Sequence, residues 1–359
     1  MSREIFDEVT VKSLHLKNRI YVTPMVTCFG KPDTGRVEPD TVAHYRRLAQ
    51  GGPGLIIQEA TCVERDGRLM DRQLGVWEDG QVEGLHRIVE AVHGENCGIF
   101  LQLHHAGVVG ISEHPLCPDH YRFPQADGTV KIGHAMTLEE IKRIQSAFAE
   151  AAVRAYRAGY DGVELHGCHQ YLICQFLNGR VNQRSDVYGT DPLRFVREIL
   201  TNIRGRVPDR FVIGIRLGGF EPTLEDAIAH AIQLERMGID FIDVSYGFQR
   251  EQVVSCPDDY PFSDIIYAAE RIRAAVRIPV FAANGITSPG MANQILERTG
   301  AAMVGIGRGF LVNSNWMTDA IAHRDTGKCL HCKQCRLYDE PEKCPGKILF
   351  ERQCGGRNN

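Results

Sequence analysis

Eight short β-rich runs alternate with helical patterns along this 359-residue chain, and no other feature restricts its fold as strongly. A strand, a helix and a second strand in succession build parallel βαβ units. The runs lie at 19–24, 54–59, 98–103, 162–166, 211–217, 241–245, 279–283 and 303–306. Helical patterns fall near 40–50, 81–95, 137–158, 192–206, 223–237, 262–275, 288–298 and 313–324. Thr137 with Glu140 fits a capping box, and Thr223 with Asp226 follows it less closely. An internal echo supports the count. RAGYDGVELH (157–166) and RMGIDFIDVS (236–245) each pass from a helix end through a glycine turn and an aspartate into an apolar strand. Eight such units in roughly 300 residues predict a (β/α)8 TIM barrel, with an open doubly wound sheet as the lesser alternative. The barrel is expected over 1–325 and a short Cys-rich extension over 326–359. GIGRG at 305–309 makes no dinucleotide fingerprint, because Phe310 stands where the third glycine would be.

Charge and apolar runs bound the partners. A formal net charge of -4 provides no basic excess to drive phosphate-backbone binding, so no nucleic-acid partner is expected. The segment MSREIFDEVTVKS carries charges where a secretory signal needs an apolar stretch, and no run approaches about 18 apolar residues. A cytoplasmic chain without a membrane partner is therefore expected. Twelve cysteines in such a chain point to metal or redox chemistry rather than to disulfides.

In a barrel of this kind, function gathers at the C-terminal ends of the strands. The ends here carry Pro24 and Met25, Glu59 to Thr61, Gln102, His104 and His105, His166 and His169, Arg216, Ser245 and Tyr246, Asn284 and Gly285, and Gly307 and Arg308. Two long connections, 104–136 and 167–191, are expected to form lids or binding walls. The last two strands end in AANGI and GIGRG, whose small residues let backbone N–H groups approach an anion while Arg308 adds a fixed cation. This is the usual phosphate site of the architecture. Tight turns beside a surface arginine are the plainer reading. In HGCHQY, His166 and His169 can donate two hydrogen bonds to one oxygen and so stabilise an enolate. Tyr171 adds a weakly acidic O–H, ordinarily of pKa about 10, suited to protonating a carbanion. Gln102 and Arg216 can hydrogen-bond an electron-rich heterocycle. Of His104 and His105, one can face the pocket and the other be structural.

In this order, these residues resemble the Old Yellow Enzyme family of FMN-dependent ene-reductases, over roughly residues 3–320. NRIYVTPM (18–25) resembles the first-strand motif, which implies Pro24, Met25 and Thr27 against the flavin. GLIIQEAT (54–61) resembles the second and implies Ala60 beside the ring, and LQLHHAG (101–107) carries Gln102 to the pyrimidine edge. AGYDGVELHGCHQYLICQFL (158–177) implies His166 and His169 as binders of a substrate carbonyl and Tyr171 as proton donor. IRLGGFE (215–221) implies Arg216 near the flavin N1 and O2, and Asn284, Gly285, Gly307 and Arg308 fall at the phosphate. The resemblance implies NAD(P)H as electron donor, a small unsaturated carbonyl compound as substrate and a homo-oligomeric assembly. Val108 stands where the family often has arginine, and Asn178-Gly179 replaces the usual Ser-Pro. These departures bear on the lid and the substrate range.

KCLHCKQCRLYDEPEKCPGK (328–347) spaces Cys329, Cys332, Cys335 and Cys344 as C-x2-C-x2-C-x8-C. Four thiols so close suit a [4Fe–4S] cluster or a tetrahedral zinc, with Cys354 as a spare. The cluster resembles that of the 2,4-dienoyl-CoA reductase branch, which gives a second expectation: an iron–sulfur flavoprotein supplied with electrons by a partner protein. A metal-dependent barrel hydrolase using His104, His105, His166 and His169 is a remoter reading, as is a non-catalytic barrel whose zinc tail docks a partner.

Overall fold

The structure is a computed structural model that describes residues 4–125, 127–336 and 340–355. The eight runs close into a barrel of parallel strands: β3 (Ile20–Val22), β4 (Leu55–Cys62), β5 (Gly98–His104), β9 (Gly162–Gly167), β10 (Val212–Gly218), β11 (Phe241–Ser245), β12 (Val280–Ala283) and β13 (Met303–Ile306). Each pairs with its neighbours in chain order, and β13 pairs with β3 to complete the ring. Two antiparallel strands, β1 (Val9–Val11) and β2 (Leu14–Leu16), precede the ring. Val11 and Leu16 pack with Leu55, Phe100, Phe241 and Phe281 and close its N-terminal end. Burying these rings together removes a large apolar area from water. Gly214 makes room for them, since a Cβ there would lie 2.1 Å from Phe241 Cε1.

The outer layer consists of α1 (Pro39–Gln50), α2 (Val82–His93), α3 (Leu138–Ala158), α6 (Arg194–Arg204), α7 (Leu224–Arg236), α8 (Asp264–Ala275) and α9 (Pro289–Thr299), with the short α4 (Leu172–Leu177) and α5 (Val187–Thr190) after β9. α3 shows why the sequence starts a helix at 137. The Thr137 side chain accepts from the Glu140 N–H, and Glu140 accepts in return from the Thr137 backbone. Thr223 likewise accepts from the Asp226 N–H.

Three elements differ from expectation. The helix expected over 313–324 is shortened to α11 (Trp316–Ile321), and a separate short α10 (Arg308–Val312) precedes it. Asn313 separates the two because its side chain bonds locally, donating to Asp319 and accepting from the Asn315 N–H. The long connection after β5 contains a small sheet of β6 (Leu116–Cys117), β8 (Val130–Ala135) and β7 (Tyr121–Pro124). It packs through Cys117 and Phe123 against Phe248. The tail contains α12 (Pro345–Gly355), although the helical periodicity of the barrel stops earlier. The Cys354 side chain lies outside the described residues. Among those residues no helix is long and apolar enough to cross a membrane.

Candidate active site

At the C-terminal end of β9 the chain turns through two consecutive non-glycine residues in the left-handed region, His169 (φ 57) and Gln170 (φ 69). Each such residue costs on the order of 1 kcal/mol or more, so the surrounding structure must over-determine the turn. The His169 N–H donates to the Tyr246 carbonyl at 2.9 Å, and Tyr171 leads into α4. The turn brings His169 back over the strand end. His169 Nδ1 then lies 3.1 Å from His166 Nε2, and its own Nε2 lies 2.7 Å from Ser245 Oγ.

His104 extends the set, its Nδ1 being 3.1 Å from His166 Nδ1. Its Nε2 is buried and has no partner among the described residues. The pair expected to share one oxygen is thus, without a ligand, part of a chain of imidazoles. Apart from His104 Nε2, the buried ring nitrogens are satisfied by one another and by the Ser245 hydroxyl. An entering oxygen has to displace the contact between His166 and His169. His105 leaves the set and pairs with Glu64 at 3.3 Å, so the four ligands of the hydrolase reading do not converge.

Tyr171 packs edge-on to His104 and His166, with ring centroids 4.4 and 4.7 Å away. Its hydroxyl forms no hydrogen bond among the described residues. Burial, and then the neighbouring Cys168 thiol, push its pKa up to about 12, so it holds its proton at neutral pH.

The histidines are held neutral. Desolvation first and the Arg216 charge second push His169 down to about 3. His166 lies well below the ordinary imidazole range through burial and then His104, and His104 through burial and then His105. Because the His169 pKa falls on folding, its contribution to stability is complete above about pH 6.5 and is lost as pH drops toward 3. The His169 ring resonances are therefore expected to stay unshifted in an NMR titration from about pH 8 to about pH 5. A titration centred near the free imidazole value would remove the neutral cluster from this description.

A polar layer lies inside the barrel below these groups. Gln102 Nε2 donates to Glu164 Oε1 at 2.7 Å. Arg216 Nε stands 3.1 Å from Asp243 Oδ2, and Tyr21 donates to Asp243 Oδ1 at 2.7 Å. Burial raises the pKa of both carboxyls, and the Arg216 guanidinium opposes that rise. Sequence reasoning found Gln102 and Arg216 but missed the two acids that hold them. The signal was a carboxylate inside an apolar strand, in GVELH and again in FIDVS.

Beside this layer opens a cavity of about 280 Å³. Six of the expected residues meet in its wall: Met25, Arg216, Asn284, Gly285, Gly307 and Arg308. Asn284 (φ 142) and Gly285 (φ 66) both turn through positive φ at the end of β12. Pro24, Ala60, Gln102 and His166 are not among its lining residues. Thr27 instead lines a second cavity that shares Met25, and gives its N–H and hydroxyl to Glu59 at 2.9 and 2.6 Å. Thr23, one residue before the expected Pro24, lines the first cavity, as do Lys328, Cys329 and His331 of the tail.

Of the tail thiols, Cys344 is buried, Cys329 is half-buried, and Cys332 and Cys335 are exposed. Among the described residues, no three of them lie within 4.8 Å of one another; the one such group of ligating side chains is His166, Cys168 and His169.

A model of the NADH:flavin oxidoreductase / NADH oxidase family matches residues 4–326. Among solved structures, 2-naphthoyl-CoA reductase in complex with 2-naphthoyl-CoA superposes with a TM-score of 0.85 at 22% identity, over 95% of this chain and 56% of that one. The chain therefore spans just over half the length of that reductase. An old yellow enzyme homologue from Zymomonas mobilis superposes with a TM-score of 0.78 at 24% identity, over 94% and 99% of the two chains. Morphinone reductase in complex with tetrahydroNAD gives 0.73 at 26% identity, over 89% and 91%.

Proposed function

The chain belongs to the NADH:flavin oxidoreductase / NADH oxidase family, of the Old Yellow Enzyme type, and on that premise we propose that it is an FMN-dependent reductase of α,β-unsaturated carbonyl compounds. The fit to FMN rests on the cavity. None of its lining residues is acidic, and among the described residues no carboxylate pairs with Arg308. Asn284, Gly285, Gly307 and Arg308 would hold the phosphate. Pro24, Met25, Thr27, Ala60, Gln102, His166 and Arg216 would surround the ring, with Arg216 offering its charge to the electron-rich edge. FMN held there would supply the redox chemistry, carrying hydride from NAD(P)H to the β-carbon of the alkene.

The protein's own share is polarisation and proton delivery. His166 and His169, both neutral, would each give one N–H to the substrate carbonyl oxygen once it has replaced their mutual contact. The proton of His166 would then be on Nε2 and that of His169 on Nδ1, while His166 Nδ1 accepts from His104 and His169 Nε2 from the Ser245 hydroxyl. Charge developing on that oxygen strengthens both bonds, which lowers the barrier relative to the ground state. Tyr171 gives its proton to the α-carbon. The observation that carries this reading is the unpaired Tyr171 hydroxyl packed beside the histidine set. The purified protein is expected to show the visible absorption of oxidised flavin. A colourless preparation that also fails to take up FMN would end this reading.

The tail supports a second reading, because Cys329 borders the cavity. In it, Cys329, Cys332, Cys335 and Cys344 would ligate a [4Fe–4S] cluster that passes electrons from a donor protein to the site, or else a zinc ion whose role is structural. The thiols are not gathered to a common point here, so no step is derived through a metal. Iron, sulfide and zinc content of the purified protein decides between the two metals and neither.

A further inference from the structure

The cavity read as the FMN site is closed on one side by the tail. Gly327, Lys328, Cys329 and His331 line it together with Asn284, Gly285, Gly307 and Arg308. The segment is tied down independently of any ligand. Asn313 Nδ2 donates to the Thr326 carbonyl at 3.2 Å. Gly327 (φ 66) lies against α12, where a Cβ would come 3.0 Å from the Phe350 ring, and a Cβ on Gly346 would come 2.8 Å from the Lys328 carbonyl oxygen. His331, also left-handed (φ 52), places its Nδ1 3.2 Å from Arg308 Nη2, which donates to it.

Charge is the second consideration. A phosphate monoester carries about −1.5 to −2 at neutral pH, whereas the barrel's own wall offers Arg308 as its one cation at that end. Lys328 is a further lining cation, and among the described residues no carboxylate pairs with it. Placing a second unpaired cation beside an acid-free cavity costs repulsion unless an anion is bound there. We propose that the tail completes the phosphate site: Lys328 pairs with the phosphate of FMN, and His331 accepts from Arg308 and so aims its guanidinium into the cavity. The tail then straps the cofactor down, and whatever seats the tail tightens FMN by the same factor that FMN tightens the tail. This rests on the FMN reading above and extends it to residues outside the barrel.

The test uses the full-length apoprotein titrated with FMN and with riboflavin, which has the same ring system without the phosphate, each followed by flavin fluorescence. Lys328→Ala and Lys328→Gln are expected to weaken FMN binding about tenfold, in the range of a charge-assisted hydrogen bond, and to leave riboflavin binding unchanged. His331→Ala is expected to act the same way to a smaller degree. Lys333→Ala, at a tail cation that does not line the cavity, serves as the control and should change neither. Unchanged FMN affinity in both Lys328 variants, or equal losses for FMN and riboflavin, overturns the proposal. A wild-type protein that binds neither flavin overturns the FMN reading itself.

Discussion

Replacing Tyr171 with phenylalanine is expected to slow the half-reaction with the unsaturated substrate by about 10²–10⁴-fold, the usual contribution of a positioned general acid. The half-reaction with NAD(P)H should keep its rate, because no proton reaches carbon in that step. Phenylalanine preserves the edge-on packing against His104 and His166 at 4.4 and 4.7 Å, so the cluster geometry is retained and the missing atom is the phenol oxygen alone. That oxygen has no hydrogen bond among the described residues, so its loss leaves no buried donor or acceptor unpaired and stability should change little. Stopped-flow measurement of the two half-reactions separates the outcomes. Equal rates with the alkene in both proteins would take Tyr171 out of its role, and equal slowing of both half-reactions would make it a packing residue. Tyr171 is pushed up to about 12, so the wild-type rate should not fall from deprotonation of this group at neutral or mildly alkaline pH.

The alternation of eight β/α units was strong enough to show the barrel, and seven of the outer helices follow from it directly. In β9 and β11 the run of apolar residues ends on His166 and on Ser245, and the structure brings these two ends together through His169. What the pattern could not show is pairing at a distance. The small sheet over residues 116–135 depends on Phe123 and Cys117 meeting Phe248, more than a hundred positions away, and a strand of two residues has no readable period. The mutual bonding of His166 and His169 was hidden for a different reason. A spacing of three residues after a strand does not determine the left-handed turn at His169 and Gln170 that folds one ring onto the other. Likewise, periodicity describes apolar faces, and the tail's seat against the cavity is held by glycine contacts and single hydrogen bonds. Thr23 and Lys328 could not be found from patterning because neither belongs to an apolar face.

The second large effect is expected at Asp243. Its carboxylate accepts from Tyr21 at 2.7 Å and lies 3.1 Å from Arg216 Nε, close enough for a strong charge interaction but without the alignment of a hydrogen bond. Both groups are buried, with side-chain exposures of 0% for Asp243 and 9% for Arg216. Asp243→Ala would strand a guanidinium inside the barrel and leave the Tyr21 hydroxyl unpaired. The expected loss is about 3–5 kcal/mol of stability, read as a shift in the denaturant midpoint at unchanged slope. A loss under about 1 kcal/mol would mean that water or another group satisfies Arg216, and the interior network would need redrawing. Removing both charges is more telling. Buried ion pairs replaced by apolar residues of similar size are often neutral or stabilising, so Asp243→Leu combined with Arg216→Met should recover most of the stability lost by Asp243→Ala alone. The double variant should nonetheless bind FMN poorly, since Arg216 reaches the cavity wall. Recovery of stability without recovery of FMN binding would mean that the pair is kept for the Arg216 charge at the cavity and not for stability. A double variant as unstable as the single one would instead make the pair a structural element of the barrel.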